Sequence, residues 1–164
     1  MNGSVEVARS YRADARRVYD AWLDPALAGR WLFATATRPM THVLIDARVG
    51  GTFRLARWLD GLESEYAGRY KALVPARSLA FTLSPRGGIG STLVRAAISP
   101  RGDGCRLAVS HGGVPATHAR ELKERWTGIL YGLGVTLESL PPAPPSWRAR
   151  AARINGGEAQ CITC

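Results

Sequence analysis

The sequence predicts an α+β fold: a curved antiparallel β-sheet of about six to seven strands wrapped around a long C-terminal helix, with two short helices after strand 1. Three observations predict it. Residues 42–111 break into short apolar-alternating segments separated by turn residues at even spacing. Residues 116–138 carry one helical stripe, and a strand-like segment comes before two short helical ones. Short connections favour an antiparallel meander over β-α-β crossovers. With one sheet available, the long helix buries its stripe against it, and a strongly curved sheet leaves a groove between the two.

Residues 4–12 alternate apolar and polar around Val5, Val7 and Tyr11, the period of a half-buried strand. Asp14 is placed to cap a helix by accepting the amide of Arg16 or Arg17. Val18, Ala21 and Trp22 then recur at helical spacing until Asp24-Pro25 ends the run. A second short helix over 25–32 carries Leu27 and Trp31 on one face. Strands are predicted at 42–48, 51–59, 63–74, 78–84, 91–99 and 104–111. Their breaks are Gly50-Gly51, Asp60-Gly61, Pro75, Pro85 to Gly90 and Pro100 to Gly104. On the closing helix, Leu122, Trp126, Ile129, Leu130, Leu133 and Leu137 form the apolar stripe. Gly128, Gly132 and Gly134 weaken that helix and mark close packing or a bend. The run Pro141-Pro142-Ala143-Pro144-Pro145 stops it, so residues 1–140 read as one domain and 141–164 as a flexible Pro/Arg-rich tail.

Composition agrees with a single domain: 164 residues, 46% hydrophobic and 21% charged, supply an ordinary core and exclude wholesale disorder. No apolar run approaches the roughly 18 residues that span a bilayer. Nor does the N-terminus resemble a signal peptide, so a cytoplasmic protein is expected, without membrane insertion. Cys105 reads as a small core residue, and Cys161 and Cys164 as two thiols of the tail. The net charge is +9, but the arginines are scattered singly except for Arg148, Arg150 and Arg153. That pattern suits a solvated surface and predicts no specific nucleic-acid partner.

Catalytic signatures are absent: the chain has no nucleophile elbow, no H-E-x-x-H and no phosphate loop. Gly87-Gly88-Ile89-Gly90-Ser91 lies between two strands and reads as a hairpin. No spacing suggests a metal site, and no cofactor is expected. Two polar residues stand out. His111 ends a strand whose alternate residues Leu107 and Val109 point inward; it reads as a ligand donor or base at a cavity rim, or as a strand-end histidine bonded to backbone. Arg57 shares the face of Phe53 and Leu55 by period two, unless a bulge before Trp58 reverses it, and so could bind a ligand carboxylate. Trp31, Phe53, Trp58, Tyr66, Tyr70, Phe81, Trp126 and Tyr131 are aromatics that either line a cavity or fill the core.

Several segments together resemble a known family. They are Val18-Tyr19-Asp20-Ala21-Trp22-Leu23-Asp24-Pro25, Asp46-Ala47-Arg48-Val49-Gly50-Gly51-Thr52-Phe53-Arg54, Gly68-Arg69-Tyr70, Pro75 to Thr82, and Ser91 to Val94. Arg106 to Gly113 and the Trp126 helix complete the set. In this order they resemble the START-like helix-grip superfamily, also called SRPBCC, and within it the domain related to the activator of the heat-shock protein 90 ATPase. Pro75-Ala76 replaces the family's frequent Pro-Pro pair, and Arg125 its frequent Gly before the helical Trp. The resemblance implies a sheet gripping the last helix around an apolar cavity. Relatives include lipid carriers, plant hormone receptors, polyketide cyclases and aromatases, and co-chaperones.

The resulting expectation is binding of a hydrophobic or amphipathic small molecule. Trp31, Phe53, Leu55, Arg57, Tyr70, Phe81, Val109, His111, Trp126 and Leu130 are the candidate ligand-binding residues. The alternatives are a cyclase- or aromatase-like enzyme using the same cavity and a co-chaperone-like module with a protein partner. A carrier needs an internal void of at least about 300 Å³; an interior without one favours the interaction module.

Overall fold

The computed structural model describes residues 2–35, 37–85 and 90–141. Strand β1 (Asn2–Tyr11) turns Val5 and Tyr11 into the core. Asp14 accepts the Arg17 amide at 2.9 Å and opens α1 (Ala15–Leu23), which buries Val18, Tyr19, Ala21 and Trp22. Asp24 then serves two helices. Its N–H closes α1 on the Asp20 carbonyl at 2.9 Å, and its carboxylate opens α2 (Pro25–Trp31) on the Ala26 amide at 2.9 Å. Pro25 suits the first turn of α2, where its missing N–H has no intrahelical partner to lose.

Six strands follow: β2 (His42–Ile45), β3 (Thr52–Leu59), β4 (Leu62–Val74), β5 (Ser78–Pro85), β6 (Thr92–Arg101) and β7 (Gly104–Pro115). They form one curved antiparallel sheet in the order β1-β7-β6-β5-β4-β3-β2. The chain thus meanders from β2 to β7, and β1 joins the far edge beside β7. A short 3-10 turn (Ala116–His118) leads into the helix α3 (Ala119–Glu138).

Three boundaries differ from expectation by three residues or more. Strand β2 stops at Ile45 because Asp46–Gly51 folds into a turn, with Arg48 N–H on the Asp46 carbonyl at 2.8 Å and Gly50 at φ 84°. Strand β7 continues to Pro115 because β1 pairs with it from Cys105 to the end. The first residues expected to be helical, 116–118, form the 3-10 turn. The glycine-rich connection at 86–89 lies outside the described residues, though the strands flanking it are antiparallel neighbours. The tail from 142 onward, with Cys161 and Cys164, also lies outside them.

Helix α3 buries Trp126, Ile129, Leu130, Leu133 and Leu137, while Leu122 is partly buried. A Cβ at Gly132 would touch Trp31 and one at Gly134 would touch Tyr11, so both glycines mark close packing; Gly128 faces open space. Cys105 is a buried free thiol, and burial raises its pKa. Trp58 and Tyr131, counted among possible cavity aromatics, are instead 61% and 59% exposed. No helix among the described residues is long and apolar enough to cross a membrane.

Candidate functional site

Strand β3 fixes the inner face of the sheet. No bulge interrupts it: Arg57 pairs with Ser64, Trp58 with Glu63 and Leu59 with Leu62. Asp60 and Gly61 join β3 to β4 with φ values of 51° and 76°, the two left-handed residues that a tight hairpin matched to strand twist requires. Phe53, Leu55 and Arg57 therefore share one face, and Trp58 points away.

Phe53, Leu55, Tyr70 and Phe81 do converge. With Trp22, Leu32 and Ile45 they enclose an internal void of about 10 Å³. That is barely the space of one water and far below the smallest ligand pockets. Aromatic rings fill this part of the grip. Phe53 meets Phe81 edge-on at 5.2 Å and Tyr70 at 5.4 Å, and Trp22 lies 6.0 Å from Phe81. Gly68 permits this packing: a Cβ there would collide with the Phe53 ring and the Thr82 carbonyl. Burial, with Tyr19 adding to it, raises the Tyr70 pKa and keeps its hydroxyl protonated. Within this apolar layer Trp22 Nε1 is buried without a hydrogen-bond partner.

His111 is 4% exposed and has both ring nitrogens occupied. Trp126 Nε1 donates to Nδ1 at 3.0 Å, and Nε2 lies 2.7 Å from Thr92 Oγ1. Because an indole can only donate, the imidazole proton belongs on Nε2 and points at Thr92. The Thr92 hydroxyl in turn donates to the Leu83 carbonyl at 3.2 Å. This chain ties α3 to β7, β6 and β5. Burial lowers the His111 pKa and favours the neutral ring that the chain needs. With both nitrogens engaged, His111 acts here as an internal strut between α3 and the sheet.

The remaining candidates divide. Trp31 is fully buried, donates from Nε1 to the Ala21 carbonyl at 3.1 Å and meets Trp22 edge-on at 4.7 Å. Leu130 packs in the core, and its carbonyl accepts the Tyr11 hydroxyl at 2.7 Å. Val109 is a core residue of β7. None of these three borders the small void.

Arg57 differs from all of them. Its Nη1 donates to the Arg38 carbonyl at 2.9 Å, while its Nε is buried with no partner. Arg38 belongs to a tight loop in which Thr35 and Arg38 exchange backbone hydrogen bonds at 3.0 and 3.2 Å. Just before that loop Phe33 plugs the grip. Its ring stacks on Tyr66 at 4.4 Å, nearly parallel at 12°, and meets Trp126 at 5.6 Å and 66°. Among the described residues, no group of three His, Cys, Asp or Glu side chains is placed to hold a metal.

A sequence model of one family, AHSA1 (Activator of Hsp90 ATPase homolog 1-like protein), matches residues 12–138. The chain belongs to that family. With it comes membership of the START-like, or SRPBCC, superfamily, whose grip of sheet around helix is the architecture described above. Solved structures agree on the fold of this AHSA1 chain. Protein CV1439 from Chromobacterium violaceum is 26% identical, with a TM-score of 0.71 over 84% of this chain and 98% of that one. CalU16 from Micromonospora echinospora is 22% identical, with a TM-score of 0.63 over 94% and 84%. DynU16, a protein in the dynemicin biosynthetic locus, is 22% identical, with a TM-score of 0.69 over 83% of this chain and 47% of its own. No curated protein matches the chain.

Sequence reasoning missed Phe33, Trp22, Leu32 and Ile45 in this AHSA1 interior. Trp22 carried a signal, since it sits on the apolar face of α1. Phe33 carried none: it lies beyond a helix end, without strand or helix period, and its left-handed backbone is not written in a Gly or Asn.

Proposed function

We propose that this AHSA1 chain binds a hydrophobic or amphipathic small molecule between the sheet and α3, in space created when part of the grip moves. The observation that carries the reading is Arg57. A guanidinium on the inner face of the sheet, with a buried and unpartnered Nε, is costly to the fold unless something else uses it. A ligand acceptor is such a use. The space beside Phe53 and Phe81 is only about 10 Å³, so a ligand seated there binds together with a rearrangement. DynU16, which shares the fold, is a protein in the dynemicin biosynthetic locus, and that is in keeping with a small-molecule reading. The cyclase-like alternative draws no comparable support, since the nitrogens of His111 are already occupied.

The closed interior favours a second reading, a protein-interaction module that works through its outer surface. The outer face of the sheet carries a trough of about 710 Å³, floored by Ala8, Ala72, Ala80, Ala97 and Ala108 and flanked by Arg95 and Arg106. Native mass spectrometry of gently purified protein separates the two. A bound organic mass that is lost on denaturation is expected. Its absence, together with no saturable binding of the dye 1-anilinonaphthalene-8-sulfonate, overturns the small-molecule reading in favour of the interaction module.

A further inference from the structure

Within that small-molecule reading, we infer that Phe33 is an internal stand-in for the ligand, and that the ligand class is a flat aromatic carboxylate: its ring replaces Phe33 against Tyr66 and Trp126, and its carboxylate accepts from the unpartnered Nε of Arg57.

The backbone at Phe33 is the first argument. Leu32 is the C-cap of α2, so Phe33 is the residue just beyond the helix, with φ 56°. Helices commonly place Gly there because the left-handed region crowds a Cβ. A bulky residue at positive φ is an outlier that surrounding contacts must hold in place. Here those contacts are two aromatic rings, one face-on and one edge-on, and Phe33 is buried. They are the contacts by which any flat aromatic ring would be recognised.

Arg57 supplies the second, independent argument. Leu55 pairs with Tyr66 in the sheet, and Arg57 is the next residue on the same face, one diagonal from the slot that Phe33 fills. Its present acceptor is a single neutral carbonyl, at the end of the loop that follows Phe33. No carboxylate among the described residues pairs with it. A planar guanidinium with Nε and an Nη free to donate side by side matches a carboxylate in a two-bond fork. A ligand carboxylate in that fork would satisfy Nε, while Nη1 on the other side of the guanidinium keeps the Arg38 carbonyl. Leaving the slot would also let Phe33 relax from its left-handed backbone. The plugged state competes with the ligand, so the plug lowers apparent affinity by the fraction of molecules that are closed.

The test compares 2-naphthoate with its neutral amide, 2-naphthamide, by titration calorimetry. The proteins are the wild type, Phe33→Gly, Arg57→Leu and the double variant. Removing the plug is expected to tighten both compounds by about tenfold or more, the factor by which a mostly closed population suppresses binding. Naphthoate is expected to bind Phe33→Gly about tenfold or more tightly than naphthamide, and Arg57→Leu to erase that preference. Loss of Phe33 also removes packing, so each variant is melted with and without ligand. Naphthoate should raise the Tm of Phe33→Gly more than that of wild type. If Phe33→Gly does not fold, Phe33→Leu, which keeps apolar volume without a flat ring, carries the same comparison. Equal affinity in wild type and plug variant overturns the stand-in role, and equal affinity for acid and amide overturns the carboxylate anchor. If native mass spectrometry finds an organic ligand and naphthoate gains nothing, this inference fails while the small-molecule reading stands. If both experiments are negative, both fall.

Discussion

His111 on β7 and Arg57 on β3 both turn inward from opposite flanks of one sheet, and each brings nitrogen atoms to an apolar layer. Around His111 every group is matched: indole to Nδ1, Nε2 to threonine, threonine to carbonyl. Around Arg57 the match stops at one nitrogen, and Nε is left over. The first arrangement is a closed circuit that fixes α3 on the sheet, because breaking any link strands a buried partner. The second leaves one buried donor unused on a half-buried side chain. Burial of a polar side chain therefore says little about its role until each donor and acceptor has been traced.

The sharpest way to break the contrast is at Trp126. Trp126→Ala is expected to cost about 3–5 kcal/mol in urea denaturation, the range for deleting a buried large aromatic, and it also strands His111 Nδ1. His111→Leu follows, with an expected loss of about 1–3 kcal/mol, since it leaves the Trp126 N–H buried without its acceptor. Its pH dependence tests the same point. The folded state holds the His111 pKa below its ordinary value, so on acidification the unfolded chain takes up the proton first. Stability is fullest above the ordinary histidine pKa of about 6.5 and declines as pH falls through it toward the folded value. Thermal melts across that range should show the decline in wild type and lack this component in His111→Leu.

Arg57→Leu should shift stability by less than about 1 kcal/mol in either direction, because one hydrogen bond is lost while an unpartnered buried N–H is removed. A loss as large as that for His111→Leu would mean that Arg57 is a strut too. The smallest effect is expected for removal of the tail. Leu140 packs at the margin of the core and the Pro141 carbonyl accepts Arg17 Nη2 at 2.7 Å, so the cut belongs after Pro141. Such a truncation should lower stability by less than about 0.5 kcal/mol, read from the denaturation midpoint.

Much of the scaffold was legible because its determinants are local. Asp14 and Asp24 announce helix ends by side-chain chemistry, Asp60-Gly61 announces a primed hairpin, and period two across 53–57 places Arg57 on the inner face. The site was less legible because its determinants are distant in sequence. Period two also points His111 inward, yet nothing near it in the chain shows that Trp126 and Thr92 occupy both its nitrogens. Nor does the aromatic count show whether rings surround a space or fill it. Phe53 and Phe81 meet through the absence of a side chain at Gly68, a fact of packing. Phe33 could be recognised only once its backbone angle and its two ring neighbours were known.

Asp24 has an optical consequence. By ending one helix and starting the next, it sets the elbow that holds the Trp22 and Trp31 rings perpendicular, with centroids 4.7 Å apart. Two strong chromophores that close, in fixed orientation, couple their transition dipoles. The pair should give the protein a near-ultraviolet circular dichroism signature that neither indole has alone. Trp126, 6.3 Å from Trp22, extends the coupled set onto α3. A loosening of the elbow or of the helix against it would then register as a change in dichroism before any secondary structure is lost. The grip carries its own spectroscopic gauge, written by one capping residue.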